Sequence, residues 1–153
     1  MKIENVTEEN IVEMFIKGVD CGQVAFTYAA DRIGLSSEDA MRIASAFGGG
    51  LGLGLTCGGI TGVMMALGAK YGHYREEDMR ERRKNIIKKR SEFIRRFKEA
   101  NGGVTCKEFL KLDVSIPEEF DQALENELFF TICPKIVSEA CKVLDEMLLE
   151  ESK

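Results

Sequence analysis

An all-α fold is predicted, and three observations predict it. Apolar residues recur at helical spacing along the chain, and no stretch keeps up a two-residue alternation. Helix-capping residues and glycines stand where the helical runs begin and stop. At 153 residues the chain is one domain long, enough to bury a core without disulfide or metal staples. The expected architecture is a compact single-domain bundle, residues 1–153, of about six to seven helices, with a glycine-rich loop leading into a central helix.

The elements follow in order. A first amphipathic helix is expected over 8–17, with Ile11, Val12, Phe15 and Ile16 on one side. A second begins near Cys21 and stops at Gly34, a natural left-handed cap. The third follows Ser36, with Asp39 in its first turn, and ends as "AFGGG" begins. A fourth runs from Cys57 to about Tyr71, where Gly58, Gly62 and Ala66 recur every four residues and leave one face bare for a close neighbour. The fifth, 76–100, is long and charged, and Asn101-Gly102-Gly103 ends it. Its apolar stripe of Met79, Ile86, Ile87, Phe93, Ile94 and Phe97 suits packing on the core or on a second copy, so a homodimer through this helix is an expectation. Shorter helices follow from Cys106, from Pro117 and from Pro134 to the C-terminus. His73, the only histidine, follows Gly72 at a helix end and reads as a surface or cap residue.

Charge limits the partners. The chain carries a net −5, but Arg75 to Glu99 holds eleven basic and six acidic residues. Glu81, Glu92 and Glu99 are interleaved among those cations, which is the pattern of a solvated or subunit-facing helix rather than a nucleic-acid surface. No charge lies between Arg42 and Lys70, a span long enough to cross a bilayer. Nine of its residues are glycine, and lipid does not satisfy an irregular glycine-rich backbone, so a buried soluble segment is expected instead.

That segment, "GGGLGLGLTCGGITG", raises the question of what it holds. Neither G-x-G-x-x-G nor G-x-x-x-x-G-K-[ST] fits it, so a phosphate cradle is not indicated. Attention moves to Cys57. Four of the five cysteines sit at expected helix starts. Asp20 precedes Cys21 and Gln23 lies at the third helical position; Thr56 precedes Cys57; Thr105 and Glu108 form a Thr-x-x-Glu box around Cys106. Pro134 suits a first helical position, which leaves Cys133 as the cap. Helix starts carry partial positive charge, so these thiols are expected to shift toward thiolate, the form that ligates metal or attacks a disulfide. The spacings contain no C-x-x-C, zinc-finger or C-x-x-C-H haem pattern, so no haem is expected and any shared site is assembled by the fold. Cys141 lies in line with Val137, Leu144 and Leu148, eight residues or about 12 Å of helix beyond Cys133, and reads as core. Five cysteines in a chain with no charged-then-apolar leader lead to the expectation of a reducing cytoplasm, where thiols more often bind metal or do redox chemistry than form structural bridges.

The run Cys57-Gly58-Gly59-Ile60-Thr61-Gly62, with "AFGGGLGLGLT" before it and "VMMALGAKYG" after it, resembles the signature of the C_GCAxxG_C_C family, bacterial and archaeal proteins described as redox-active. In that pattern one cysteine, a Cys-Gly-Ala-x-x-Gly motif and two more cysteines follow in order, here Cys21, Cys57, Cys106 and Cys133. Gly59 replaces the motif alanine, and Asp20 stands where asparagine is frequent. The resemblance implies an all-helical redox protein of undefined reaction. A similar domain looks to be part of split-Soret cytochromes, where an iron–sulfur site accompanies the haems, and by that analogy the four cysteines would ligate an iron–sulfur cluster. Three functions are therefore carried forward: a cluster-binding electron-transfer or redox-sensing module with an unidentified redox partner, a thiol–disulfide oxidoreductase, and a structural zinc or helical interaction module.

Overall fold

The computed structural model describes residues 1–153, and every regular element in it is helical. The α-helices are α1 (Glu8–Ile16), α2 (Cys21–Ile33), α3 (Ser37–Ile43), α4 (Gly58–Tyr71), α5 (Met79–Asn101), α6 (Cys106–Leu110), α7 (Pro117–Glu125), α8 (Leu128–Thr131) and α9 (Cys133–Glu151). The count exceeds the expected six to seven because the chain after α5 is cut into short pieces. Glu127, with φ of 54°, turns the chain into α8. Pro134 has no N–H to continue the ladder from α8 into α9, and one residue, Ile132, separates them.

The capping chemistry read from the sequence recurs in the structure. Ser36 Oγ accepts from the Asp39 N–H, and Gly34 closes α2 at φ of 75°. At α6, Thr105 Oγ1 accepts from the Glu108 N–H while Glu108 accepts from the Thr105 and Val104 N–H groups. Two starts differ. Cys57 is the cap of α4, whose first residue is Gly58. Cys133 is the first residue of α9 and Pro134 the second, one position earlier than the expected start, because the short helix before it supplies the preceding turn and leaves Ile132 as the cap.

The centre of the molecule is the crossing of α2 and α4, with α9 laid against both. Val24 to Ala30 are all buried, so α2 is enclosed on every side. The bare stripe on α4 explains how it comes so near. A Cβ on Gly62 would lie 2.7 Å from the Gly22 carbonyl oxygen, 2.8 Å from Ala25 Cβ and 2.9 Å from the Phe26 nitrogen. Gly59 faces α9 instead, where an added methyl would meet Val137 Cγ2 at 3.2 Å. The apolar stripe of α5 packs on this chain's own core: Phe93 and Phe97 are fully buried and Ile86 and Ile94 lie against it. A homodimer through α5 would thus have to use the charged outer face. Part of that charge is paired within the chain, Lys89 with Glu151 and Arg96 with Glu150 on α9. Of the glycine-rich segment, no part is a spanning helix, and no helix of the protein is long and apolar enough to cross a membrane.

A small second core, Cys106, Leu110 and Val114, lies under α8. Phe109 joins it to the bundle through an edge-on contact with Phe97, ring centroids 6.1 Å apart. The cysteines stand on the seam between the two cores: Cys21 and Cys57 belong to the larger, Cys106 and Cys133 to the smaller.

Candidate four-thiol site

The four cysteines at helix starts come together. Cys21, Cys57, Cys106 and Cys133 line one cavity of about 350 Å³, while Cys141 is wholly buried in the main core and takes no part in it. All five are free thiols. The remaining wall is largely apolar and includes four aromatic rings, Phe15, Phe120, Phe129 and Phe130. His73 is exposed and does not line the cavity.

Two devices assemble the site. The first is the crossing of α2 and α4. Gly58 has no side chain, and the Cys21 sulfur occupies the place where a Cβ would stand, so a methyl group there would overlap Sγ. The second is a clamp between two loops. Thr56 and Thr105 form an isolated antiparallel bridge, flanked by the Cys57 N–H donating to the Val104 carbonyl at 2.9 Å and the Cys106 N–H donating to the Leu55 carbonyl at 2.8 Å. In such a pair the residues after each bridge partner lie diagonally across the ribbon on one face, which brings Cys57 and Cys106 to the same side. Sequence reading missed this clamp, since a single bridge has no periodicity to detect.

The glycine loop aims backbone at sulfur. Gly49, Gly50, Leu51 and Gly52 all have φ between 60° and 68°, a left-handed run that glycine tolerates and that Leu51 adopts at a cost. It carries the Gly49 N–H to the Cys21 thiol. Gly48 lies flat against the Asp20 side chain, where a Cβ would sit 2.7 Å from Cγ. At the start of α4 the Gly59 and Ile60 N–H groups point at the Cys57 sulfur.

The expected shift toward thiolate is not what the structure gives, and this corrects the sequence reading. Burial, with the neighbouring Cys57 next, pushes Cys21 up to about 12. Cys57 is held well above its usual range first by its hydrogen bond with Cys106 and then by burial. Cys133 is raised by burial, then by Cys57 and Cys21. The backbone N–H groups pull Cys21 and Cys57 the other way, but loss of water and crowding of like charges outweigh them. Three of the four thiols therefore stay protonated at neutral pH in the free protein. A cation supplied among them would reverse that balance.

The donor set fits an iron–sulfur group: four soft sulfur donors, a largely apolar wall rich in aromatic rings and N–H donors directed at sulfur. It fits a single ion less well. No three His, Cys, Asp or Glu side chains are gathered to grip one metal ion, whereas tetrahedral zinc asks for four sulfurs about 2.3 Å from one point.

Fold and site together define a helical protein whose single concentration of chemistry is four convergent cysteines. The family model described as "Putative redox-active protein (C_GCAxxG_C_C)" matches residues 19–147, and the chain belongs to that family. The matched span contains all four cavity cysteines and both devices that bring them together. Comparison with curated proteins and with solved structures finds no match. Membership ties the protein to a redox role.

Proposed function

We propose that this protein is a small electron-transfer or redox-sensing module of the reducing cytoplasm in which Cys21, Cys57, Cys106 and Cys133 hold an iron–sulfur cluster. The observation that carries the reading is the sharing of one apolar cavity by four thiols from four separate helix starts. Four soft sulfur donors about one cavity are the ligand number and type that iron–sulfur clusters take. When bound, the cluster supplies one-electron chemistry at this place. The chain's own contribution is to hold the sulfurs, to direct the Gly49, Gly59 and Ile60 N–H groups at two of them, and to exclude water with the aromatic wall; each of these sets the potential.

Iron and acid-labile sulfide analysis of protein purified without oxygen tests the reading. Iron with sulfide and visible absorbance is the expected result. Colourless protein lacking both overturns it, and stoichiometric zinc would put a structural metal site in its place.

A thiol–disulfide oxidoreductase is the second reading, and the Cys57–Cys106 pair favours it, because the Thr56–Thr105 bridge and the hydrogen bond between the thiols make those two the pair in closest communication. Against it stands the weak acidity of Cys57, which its hydrogen bond with Cys106 and then burial hold well above the usual thiol range, since attack on a disulfide needs thiolate. Under this reading only Cys57→Ser and Cys106→Ser would abolish disulfide reduction; loss of activity in all four serine variants would return the site to metal chemistry.

A further inference from the structure

The cavity opens beside an apolar surface that nothing in the chain covers. Leu51, Leu53 and Leu55 on the glycine loop and Ile116, Phe120 and Leu124 at α7 are each between 40 and 55 % exposed. The last three are four residues apart and so form one stripe of α7. The loop and the helix are neighbours. Gly54 lies against the Lys107 and Asp113 side chains, and Gly49 and Phe120 line the same cysteine cavity. Six leucine, isoleucine and phenylalanine side chains standing out at the entrance to a redox site are more than the scattered apolar residues of an ordinary surface.

The cation that borders this surface, Lys107, is paired with Asp113, and the segment that carries α7 is charged with one sign. Between Lys111 and Lys135 the chain has six carboxylates and no lysine or arginine, and between Arg42 and Lys70 it has no charge at all. Asp113 is paired with Lys107 and Glu119 accepts from the Asp113 N–H. Glu118, Asp121, Glu125 and Glu127 are exposed and have no ion-pair partner.

We infer that the loop 51–55 and the outer stripe of α7 form the docking surface for a redox partner protein whose own apolar patch is ringed by lysine and arginine. The inference rests on the redox reading of the cavity beside it. Apolar centre and charged rim are the division of labour of a transient protein interface: the centre supplies contact, the rim steers and selects. A second copy of this chain is the wrong occupant, because a two-fold contact through this patch sets carboxylates against carboxylates. An anionic lipid surface is repelled for the same reason.

The test uses cytochrome c, a lysine-rimmed one-electron carrier, as the probe, titrated into isotope-labelled protein both loaded with cluster and free of it. Amide shifts confined to 51–55 and 116–127 are expected, with an affinity that falls about tenfold or more as the Debye length shrinks from about 30 Å at 0.01 M to about 8 Å at 0.15 M salt. The double variant Glu118→Lys, Glu125→Lys should weaken binding about tenfold at low salt. Leu124→Asn should weaken it at both salts, and circular dichroism confirms that each variant is folded. Shifts centred on α5 or α9, scattered shifts, or a charge-reversed variant that binds like the wild type would overturn the inference. Shifts of the same residues on concentrating the protein alone would assign the patch to a second copy and overturn it too. The two readings fail separately: protein without iron, sulfide or redox-active thiols defeats the redox reading, whereas cluster-loaded protein that binds the probe elsewhere defeats only the docking surface.

Discussion

Replacing Gly62 by alanine adds one methyl group at the tightest point of the α2–α4 crossing. That methyl would stand 2.7 Å from the Gly22 oxygen and 2.9 Å from the Phe26 nitrogen, against the 3.4 Å at which ordinary contact begins. Both are backbone atoms on the enclosed helix, so no side chain can rotate away and the helices must separate by a sizeable fraction of an ångström. Overpacking of this kind costs about 1–3 kcal/mol, and alanine returns up to about 1 kcal/mol of helix propensity. With three contacts short at once, a net loss of about 2 kcal/mol is expected, or about 4–8 °C in Tm for a domain of this size. The same shift moves Cys21 away from Cys57, so iron content should fall with stability. Gly68→Ala is the control, six residues along the same helix, where an added Cβ meets nothing within 4 Å; it should stabilise by about 0.5–1 kcal/mol. Thermal denaturation and metal analysis of both variants decide the matter. A Gly62→Ala protein with wild-type Tm and metal content refutes the close-packing argument.

Other outcomes follow from the same geometry. Thr105→Ala removes the side-chain acceptor at the start of α6 and should cost about 1 kcal/mol, seen as faster amide exchange across α6 and weaker retention of iron. In the metal-free protein Cys21 is raised from 9.0 to about 12 and Tyr28, buried and bonded to Asp145, from 10.0 to about 12. Groups whose folded acidity is weaker than the unfolded stabilise fully at lower pH, so stability should be intact below about pH 9 and decline toward pH 12, as denaturant titration at stepped pH would show. Alkylation of Cys21 should be slow at pH 8 in folded protein and fast in denaturant. Oxidation of metal-free protein by a small-molecule disulfide should join Cys57 to Cys106 before any other pair, read by peptide mapping.

Much of this arrangement was legible in the sequence because it is local. Caps at Ser36, Thr105 and Gly34, the bare stripe of Gly58 and Gly62, and the core position of Cys141 each follow from spacing within one helix. The order of the cysteines was equally plain, and with no metal-binding spacing among them a shared site had to be assembled by the fold. What stayed hidden depends on distant partners. The Thr56–Thr105 bridge links segments about fifty residues apart with no repeating pattern. Phe15, Phe120, Phe129 and Phe130 read as ordinary apolar positions until the fold turns them toward one cavity. The acidity of the thiols was misjudged because the helix-start effect is visible in sequence, whereas the burial that overrides it exists only in the assembled site.

The most direct test of the central claim is the iron content of five single cysteine-to-serine variants purified without oxygen alongside the wild type. The account predicts that Cys21→Ser, Cys57→Ser, Cys106→Ser and Cys133→Ser each lose iron and visible absorbance while Cys141→Ser retains both. Equal iron in all five variants, or loss in Cys141→Ser with retention in any of the other four, would contradict a shared four-thiol site.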